Sequence, residues 1–220
     1  MRGLFITFEG TEGSGKSTQI EILARRLAGM GHDVRQYREP GGTAIGEEIR
    51  HTLKHSAGNR AMTPEAELLL MNASRAQLVR ELIRPALEAG AIVLCDRFYD
   101  STIAYQARGR GLNMTEVKRI IEFAVGPTRP DLTLLLAIPV KVSESRRQGR
   151  VLPGLERDRM EEAGRAFFER VEAAYAALAA KESRRIKTID ATASVEEVSR
   201  AVWGVVEPAA ARLKAKPRLK

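Results

Sequence analysis

The chain of 220 residues contains one cysteine, few aromatic residues and no apolar run of roughly 20 residues. A lone cysteine excludes an intramolecular disulfide and a zinc site built on several thiolates. Cys95 lies in the apolar run AIVLCD (91–96), where a thiol is expected to be buried and inert. Without a long apolar run, no helix is expected to cross a membrane. No signal-peptide core precedes a cleavage site, because Leu4–Phe8 runs straight into a glycine-rich loop, and a cytoplasmic location is expected. Aromatics make up only 5% of the chain and are not interleaved with a basic surface, so the net charge of +8 does not read as a specific nucleic-acid face. His32, His51 and His55 have no metal-ligand spacing and are expected at the surface. Two guanine-nucleotide signatures, D-x-x-G and N-K-x-D, are missing as well, which argues against a switch GTPase.

What is present is enough apolar sequence, 44%, to bury a core as one domain. Five of the 36 lysines and arginines fall in the closing segment RLKAKPRLK. Residues 212–220 are therefore expected to be a solvated basic tail outside a single domain over 1–211. The remaining positive charge suits clefts that hold several phosphates.

Apolar runs of strand length alternate with helical patterns. Strands are expected at Leu4–Phe8, Val34–Tyr37, 91–96, LTLLLAI (132–138) and IKTID (186–190). Helices are expected near 17–28, 44–53, 64–87, 101–107, 115–124, 160–181 and from about 195 onward. Five strands interleaved with helices predict an α/β fold, a five-stranded parallel sheet covered on both faces, with 91–96 and 132–138 reading as buried strands. Ligands of such sheets bind at the carboxyl ends of the strands. The segments EGTEGSGKST, REPGG, DRFYDS and IDATAS all follow strand ends, so they are expected along one edge.

Residues Gly10 to Ser17 match G-x-x-x-x-G-K-[ST], with a strand before and a helix after. Gly10, Gly13 and Gly15 let the backbone of this loop, including Thr11, Glu12 and Ser14, turn its N–H groups toward phosphate oxygens. Lys16 is placed to reach the β- and γ-phosphates of ATP, the Ser17 hydroxyl suits magnesium, and Thr18 can cap the helix or touch the α-phosphate. A phosphate loop alone leaves a GTPase, a motor ATPase and a small-molecule kinase open; the length of the chain favours the kinase. Asp96 closes a buried strand, as a carboxylate acting on magnesium would. Arg97 follows it, and an arginine fork suits a phosphate that must be held and aimed in line.

FEGTEGSGKST, REPGGT, DRFYDSTIAYQ and IDATASVEEV occur in the order and spacing of bacterial thymidylate kinases, and the chain resembles that family over roughly residues 4–206. The resemblance implies a nucleoside-monophosphate kinase fold, ATP with magnesium, thymidine monophosphate as acceptor, and a homodimer. It implies that Arg97 grips the acceptor phosphate and that Glu12 stands near the acceptor sugar. It places Arg38 and Glu39 beside the acceptor phosphate, although a plain ion pair serves these two equally well. Arg75 is similar to the arginine that reads thymine, and Ser101, Thr102, Tyr105 and Gln106 to residues lining sugar and base. Arginines of a lid over about 145–160 (Arg146, Arg147, Arg150, Arg157) are candidates to stabilise the transferring phosphoryl group. Asp158 and Glu161 match acidic positions after it. Two positions depart from the family pattern: Met71 stands where many relatives carry a phenylalanine that stacks on thymine, and Ala137 where many carry an aspartate. Two other readings stay open, a phosphate-loop kinase for another nucleotide or deoxynucleoside, and a catalytically silent nucleotide-binding regulator.

Overall fold

The structure, a computed structural model, describes residues 2–149 and 163–213. Among these residues five strands form one parallel sheet in the order β2-β3-β1-β4-β5. The strands are β1 (Leu4–Glu9), β2 (Val34–Arg38), β3 (Ile92–Asp96), β4 (Leu132–Ala137) and β5 (Ile186–Asp190). β1 is central and buried along its whole length, as a strand flanked on both edges and covered on both faces must be.

Alternation along β1 sends its side chains to two different layers. Leu4, Ile6 and Phe8 pack with Ile20, Leu23 and Leu27 of α1 (Lys16–Gly29) and with Val202, Trp203 and Val206 of α9 (Val195–Ala210). Phe5 faces the opposite layer, where Leu78 of α3 (Pro64–Leu78) meets Val117 and Ile121 of α6 (Met114–Val125). Thr7 stays polar because its hydroxyl pairs with that of Thr133 across β4 at 2.7 Å. A third apolar group joins Phe167, Phe168 and Val171 of α8 (Arg165–Lys181) to Tyr105 and Ile186.

Three helices differ from their expected form. The run expected over 64–87 is α3, a π-helical turn at Val79–Ile83, and the short α4 (Arg84–Glu88). Pro85 lacks an N–H and would clash with the carbonyl four residues earlier, so the ladder widens just ahead of it. The segment expected at 101–107 opens as α5 (Tyr99–Thr102) and continues as a π turn over Ile103–Gly109. The helix expected from Met160 begins at Arg165, because Gly164 sits at its N-cap with an extended ψ of 162°; residues 160–162 lie outside those described. α2 (Ala44–Lys54) and α7 (Val140–Gln148) complete the framework.

Strand register brings the carboxyl ends together. Asp96 pairs with Phe8 on one side and Arg38 on the other, and Ala137 pairs with Asp190. The loops that follow β1, β2, β3 and β5 therefore share one edge.

Candidate active site

The phosphate loop depends on glycine at Gly10 and Gly13, with φ of 134° and 78°. At Gly10 the constraint is also steric, since a Cβ there would lie 2.4 Å from the Leu136 carbonyl oxygen. α1 starts at Lys16 with no side-chain cap, so its leading N–H groups are available to an anion, and the helix dipole favours one there. Thr11 and Gly10 enclose the loop from the strand side, and Lys16 Nζ donates to the Gly10 oxygen at 3.1 Å and to the Thr11 oxygen at 3.0 Å. The same ammonium lies 3.5 Å from Ser14 Oγ. Burial, with the charge of Arg97, pulls the Lys16 ammonium down to about 8 against the pull of Asp96, Glu12 and Glu9. Ser17 and Thr18 are exposed at the first turn.

The loop is also held from α7. Ser143 Oγ donates to the Glu12 oxygen at 2.7 Å. Arg146 Nη1 donates to the oxygens of Gly13 and Ala191, each at 3.1 Å. Arg146, a lid candidate by sequence, thus ties the phosphate loop to the loop after β5.

Ser17 Oγ donates to Asp96 Oδ2 at 3.2 Å, so the first helical hydroxyl and the acid closing β3 meet. Arg97 adopts a φ of 67°, unusual for a side chain other than glycine. Its Nη1 donates to the Gly10 oxygen at 3.1 Å, to Ser101 Oγ at 3.2 Å and to the Tyr175 hydroxyl at 3.4 Å. Burial opposes the Arg97 charge, but Tyr105, Tyr175, Glu12 and Asp96 outweigh it and the guanidinium stays charged. Its Cζ lies 5.1 Å from the centre of the Tyr105 ring.

Arg75 on α3 is buried, and protein acceptors surround its guanidinium. Nε donates to Glu39 Oε2 at 2.8 Å, Nη1 to Asn72 Oδ1 and Thr102 Oγ1 at 2.9 Å each, and Nη2 to the Phe98 oxygen at 3.3 Å. Met71, half-buried, stands one turn earlier on the same helix. Gln106 Nε2 donates to Glu67 Oε1 at 2.9 Å, which fixes the orientation of its amide. Buried Thr11 Oγ1, Glu12 Oε2, Glu39 Oε1 and the Tyr105 hydroxyl have no hydrogen-bond partner among the described residues. Buried oxygens without a partner are uncommon, and a polar ligand is one group that satisfies such atoms.

Of the two readings open for Arg38, the geometry shows the ion pair. Its Nη2 donates to Glu47 Oε2 at 2.9 Å and its Nη1 to the Pro40 oxygen at 3.2 Å, so it serves α2 and its own turn as an ion pair. Arg150, Arg157, Asp158 and Glu161 lie outside the described residues, as does the Arg147 side chain.

Two groups at this site escaped the sequence analysis. Glu9 closes β1 and is buried, accepting from Phe98 N–H, Ser101 Oγ and the Tyr175 hydroxyl at 2.8, 2.6 and 2.8 Å. An acid ending a buried strand was the signal that selected Asp96, and it applies equally to Glu9. Tyr175 carries no such signal, being one aromatic on an amphipathic helix.

A sequence model of the family described as Thymidylate kinase matches residues 8–202. Among curated relatives, the thymidylate kinase of Halothermothrix orenii is 49% identical over 207 residues, covering 94% of this chain and 98% of its own. That of Syntrophotalea carbinolica is 47% identical over 201 residues, covering 90% and 93%. The crystal structure of thymidylate kinase from Ehrlichia chaffeensis is similar with a TM-score of 0.75 at 29% identity, over 94% of this chain and 100% of that one.

Proposed function

The chain belongs to the thymidylate kinase family, and from that premise we propose how its side chains divide the work. The enzyme phosphorylates thymidine 5′-monophosphate with ATP, giving the diphosphate. An acceptor phosphate oxygen attacks the γ-phosphorus, and the bond from that phosphorus to the departing ADP oxygen breaks. A phosphate oxygen is already a competent nucleophile, so the protein's task is positioning and charge neutralisation.

Lys16 and the loop N–H groups of residues 10–18 hold the donor phosphates. Arg97 holds the acceptor phosphate, and the observation that carries this is its reach from β3 to the Gly10 oxygen at 3.1 Å, which sets the guanidinium against the phosphate loop. Ser101, Thr102, Tyr105 and Gln106 line the sugar and base, with Met71 covering a base face, and Glu12 and Glu39 border the acceptor. Arg75 meets the base only by exchanging one of its present partners. Arg150, Arg157 and Asp158 act from the lid over about 145–160.

Ser17 Oγ and Asp96 Oδ2 are hard oxygens at the mouth of the loop, and their donor chemistry fits magnesium. Magnesium keeps most of its waters and takes few protein oxygens, so two such donors suit it. Magnesium held there would neutralise charge on the phosphates. The exposed Leu69 of α3 and Phe123 of α6 support a homodimer built on those helices. A single kinase domain over 1–211, the tail over 212–220 and a cytoplasmic location complete the proposal.

The test is ADP formation with ATP and magnesium, comparing thymidylate with the other deoxynucleoside monophosphates, thymidine and no acceptor. Turnover confined largely to thymidylate supports the assignment. Preference for another acceptor keeps a phosphate-loop kinase but removes this acceptor, and no acceptor-dependent turnover points to a silent nucleotide binder.

A further inference from the structure

Arg97 is restrained on both sides. Its own N–H donates to the Phe8 oxygen at 2.9 Å, and the next N–H, of Phe98, donates to Glu9 Oε1 at 2.8 Å. The second Glu9 oxygen takes the hydroxyls of Ser101 at 2.6 Å and Tyr175 at 2.8 Å. Those same two oxygens accept from Arg97 Nη1. Each hydroxyl has one proton. The two hydroxyl oxygens also lie 2.9 Å apart and compete for the same protons; with both protons drawn to the charged carboxylate, only lone pairs are left to face the guanidinium. Glu9 thus sets the polarity of both hydroxyls and pins the peptide that follows the left-handed Arg97, without a direct bond to the guanidinium itself.

We infer that Glu9 is a positioning residue for phosphoryl transfer, holding Arg97 through Ser101, Tyr175 and the Phe98 N–H in the orientation that receives the acceptor phosphate. This rests on Arg97 being the grip for that phosphate. A glutamine at position 9 keeps the volume and can still accept from Phe98 N–H. Its NH₂ group, however, donates to the two hydroxyls and frees their protons to turn toward the guanidinium, so Arg97 loses two of its three acceptors and keeps the Gly10 oxygen. An aspartate keeps the charge and draws it back by one methylene.

The experiment is equilibrium binding of thymidylate and of thymidine at pH 8 to the full chain, its Glu9→Gln and Glu9→Asp variants, and Arg97→Ala. The ratio of the two affinities isolates what the phosphate contributes, which a general loss of structure would not change selectively. Glu9→Gln is expected to lose about tenfold or more for thymidylate, the scale of one charged hydrogen bond, with thymidine nearly unchanged and partial recovery in Glu9→Asp. If Arg97→Ala lowers the ratio and Glu9→Gln does not, the role of Glu9 is overturned and that of Arg97 stands. If Arg97→Ala leaves the ratio unchanged, the reading of Arg97 fails and the inference with it. Should Glu9→Gln fail to fold, Tyr175→Phe decides in its place, since it removes one of the two bridging hydroxyls; an unchanged ratio there overturns the inference.

Discussion

Arg75 Nη2 stands 2.7 Å from Glu39 Oε2 with both side chains almost wholly buried, at 2% and 3% exposure. Four of the five N–H groups of the guanidinium donate, to Glu39, Asn72, Thr102 and Phe98, and the Nη2–Glu39 ion pair adds to them. The pair therefore joins the turn after β2 to α3 and to the start of the π turn that carries Tyr105. Removing one partner leaves a buried charge without its counterion. Glu39→Ala is expected to cost about 3–5 kcal/mol of stability by urea unfolding. The double variant with Arg75→Ala should cost less than the sum of the single losses, and additive losses would mean that the two groups do not act as a pair.

Gly109, where the π turn ends, marks a close approach of a different kind. A Cβ there would lie 2.6 Å from the Phe167 ring, and Arg170 Nη2 donates to the Gly109 oxygen at 2.7 Å. α8 is thus seated on the segment that presents Tyr105 and Gln106. Gly109→Ala should destabilise by about 1–3 kcal/mol through overpacking and raise the KM for thymidylate. Adding Phe167→Leu should recover part of both. If stability does not change in Gly109→Ala, the two elements are not in contact.

Much of this arrangement was legible from local chemistry. Apolar runs locate β1, β3 and β4 because a buried parallel strand is apolar on both faces, and the acid that closes β3 marks the end that meets the ligand edge. The glycines of the phosphate loop are equally plain, since few other residues accept positive φ. The π turns at 79–83 and 103–109 were not legible: over one turn their apolar pattern matches an ordinary helix, and only Pro85 hints at the first. Nor was the Glu9 cluster, whose partner Tyr175 lies 166 positions along the chain. Contacts made by tertiary packing leave no spacing to find. Arg38 illustrates the reverse case, a residue inside a functional motif whose own charge is satisfied by Glu47 nearby.

Met71 tests how well an apolar chain without a ring covers a base. It is half-buried one turn from Arg75, so a phenylalanine there would gain an aromatic face at the same place. Aromatic stacking adds about 0.5–1.5 kcal/mol beyond area burial, roughly a 2- to 12-fold gain in binding. Met71→Phe should lower the KM for thymidylate on that scale and leave the KM for ATP unchanged. An unchanged thymidylate KM would remove Met71 from the base pocket.

Glu9 also makes a prediction about acid and base that does not depend on catalysis. Burial pushes its carboxyl up to about 7, Asp100 adds to the shift, and the Ser101 hydrogen bond, the Arg97 charge and the Phe98 N–H pull against it. In the unfolded chain the same group titrates at about 4.5. Between those values the folded protein holds a proton that the unfolded chain has released, so stability falls as pH rises through this window and levels off above about 7. Burial raises Asp100 and Glu39 too, so they add a slope of the same sign. Glu47, lowered by the Gly42 N–H, acts in the opposite sense at lower pH. The contribution of Glu9 is therefore isolated by comparison with Glu9→Gln, which has no proton to lose. Urea unfolding at pH 5 and pH 7.5 should show the unmodified protein losing up to about 3 kcal/mol more than the variant over the interval. Parallel losses would mean that Glu9 is ionised throughout, with its three hydrogen bonds strong enough to overcome its burial.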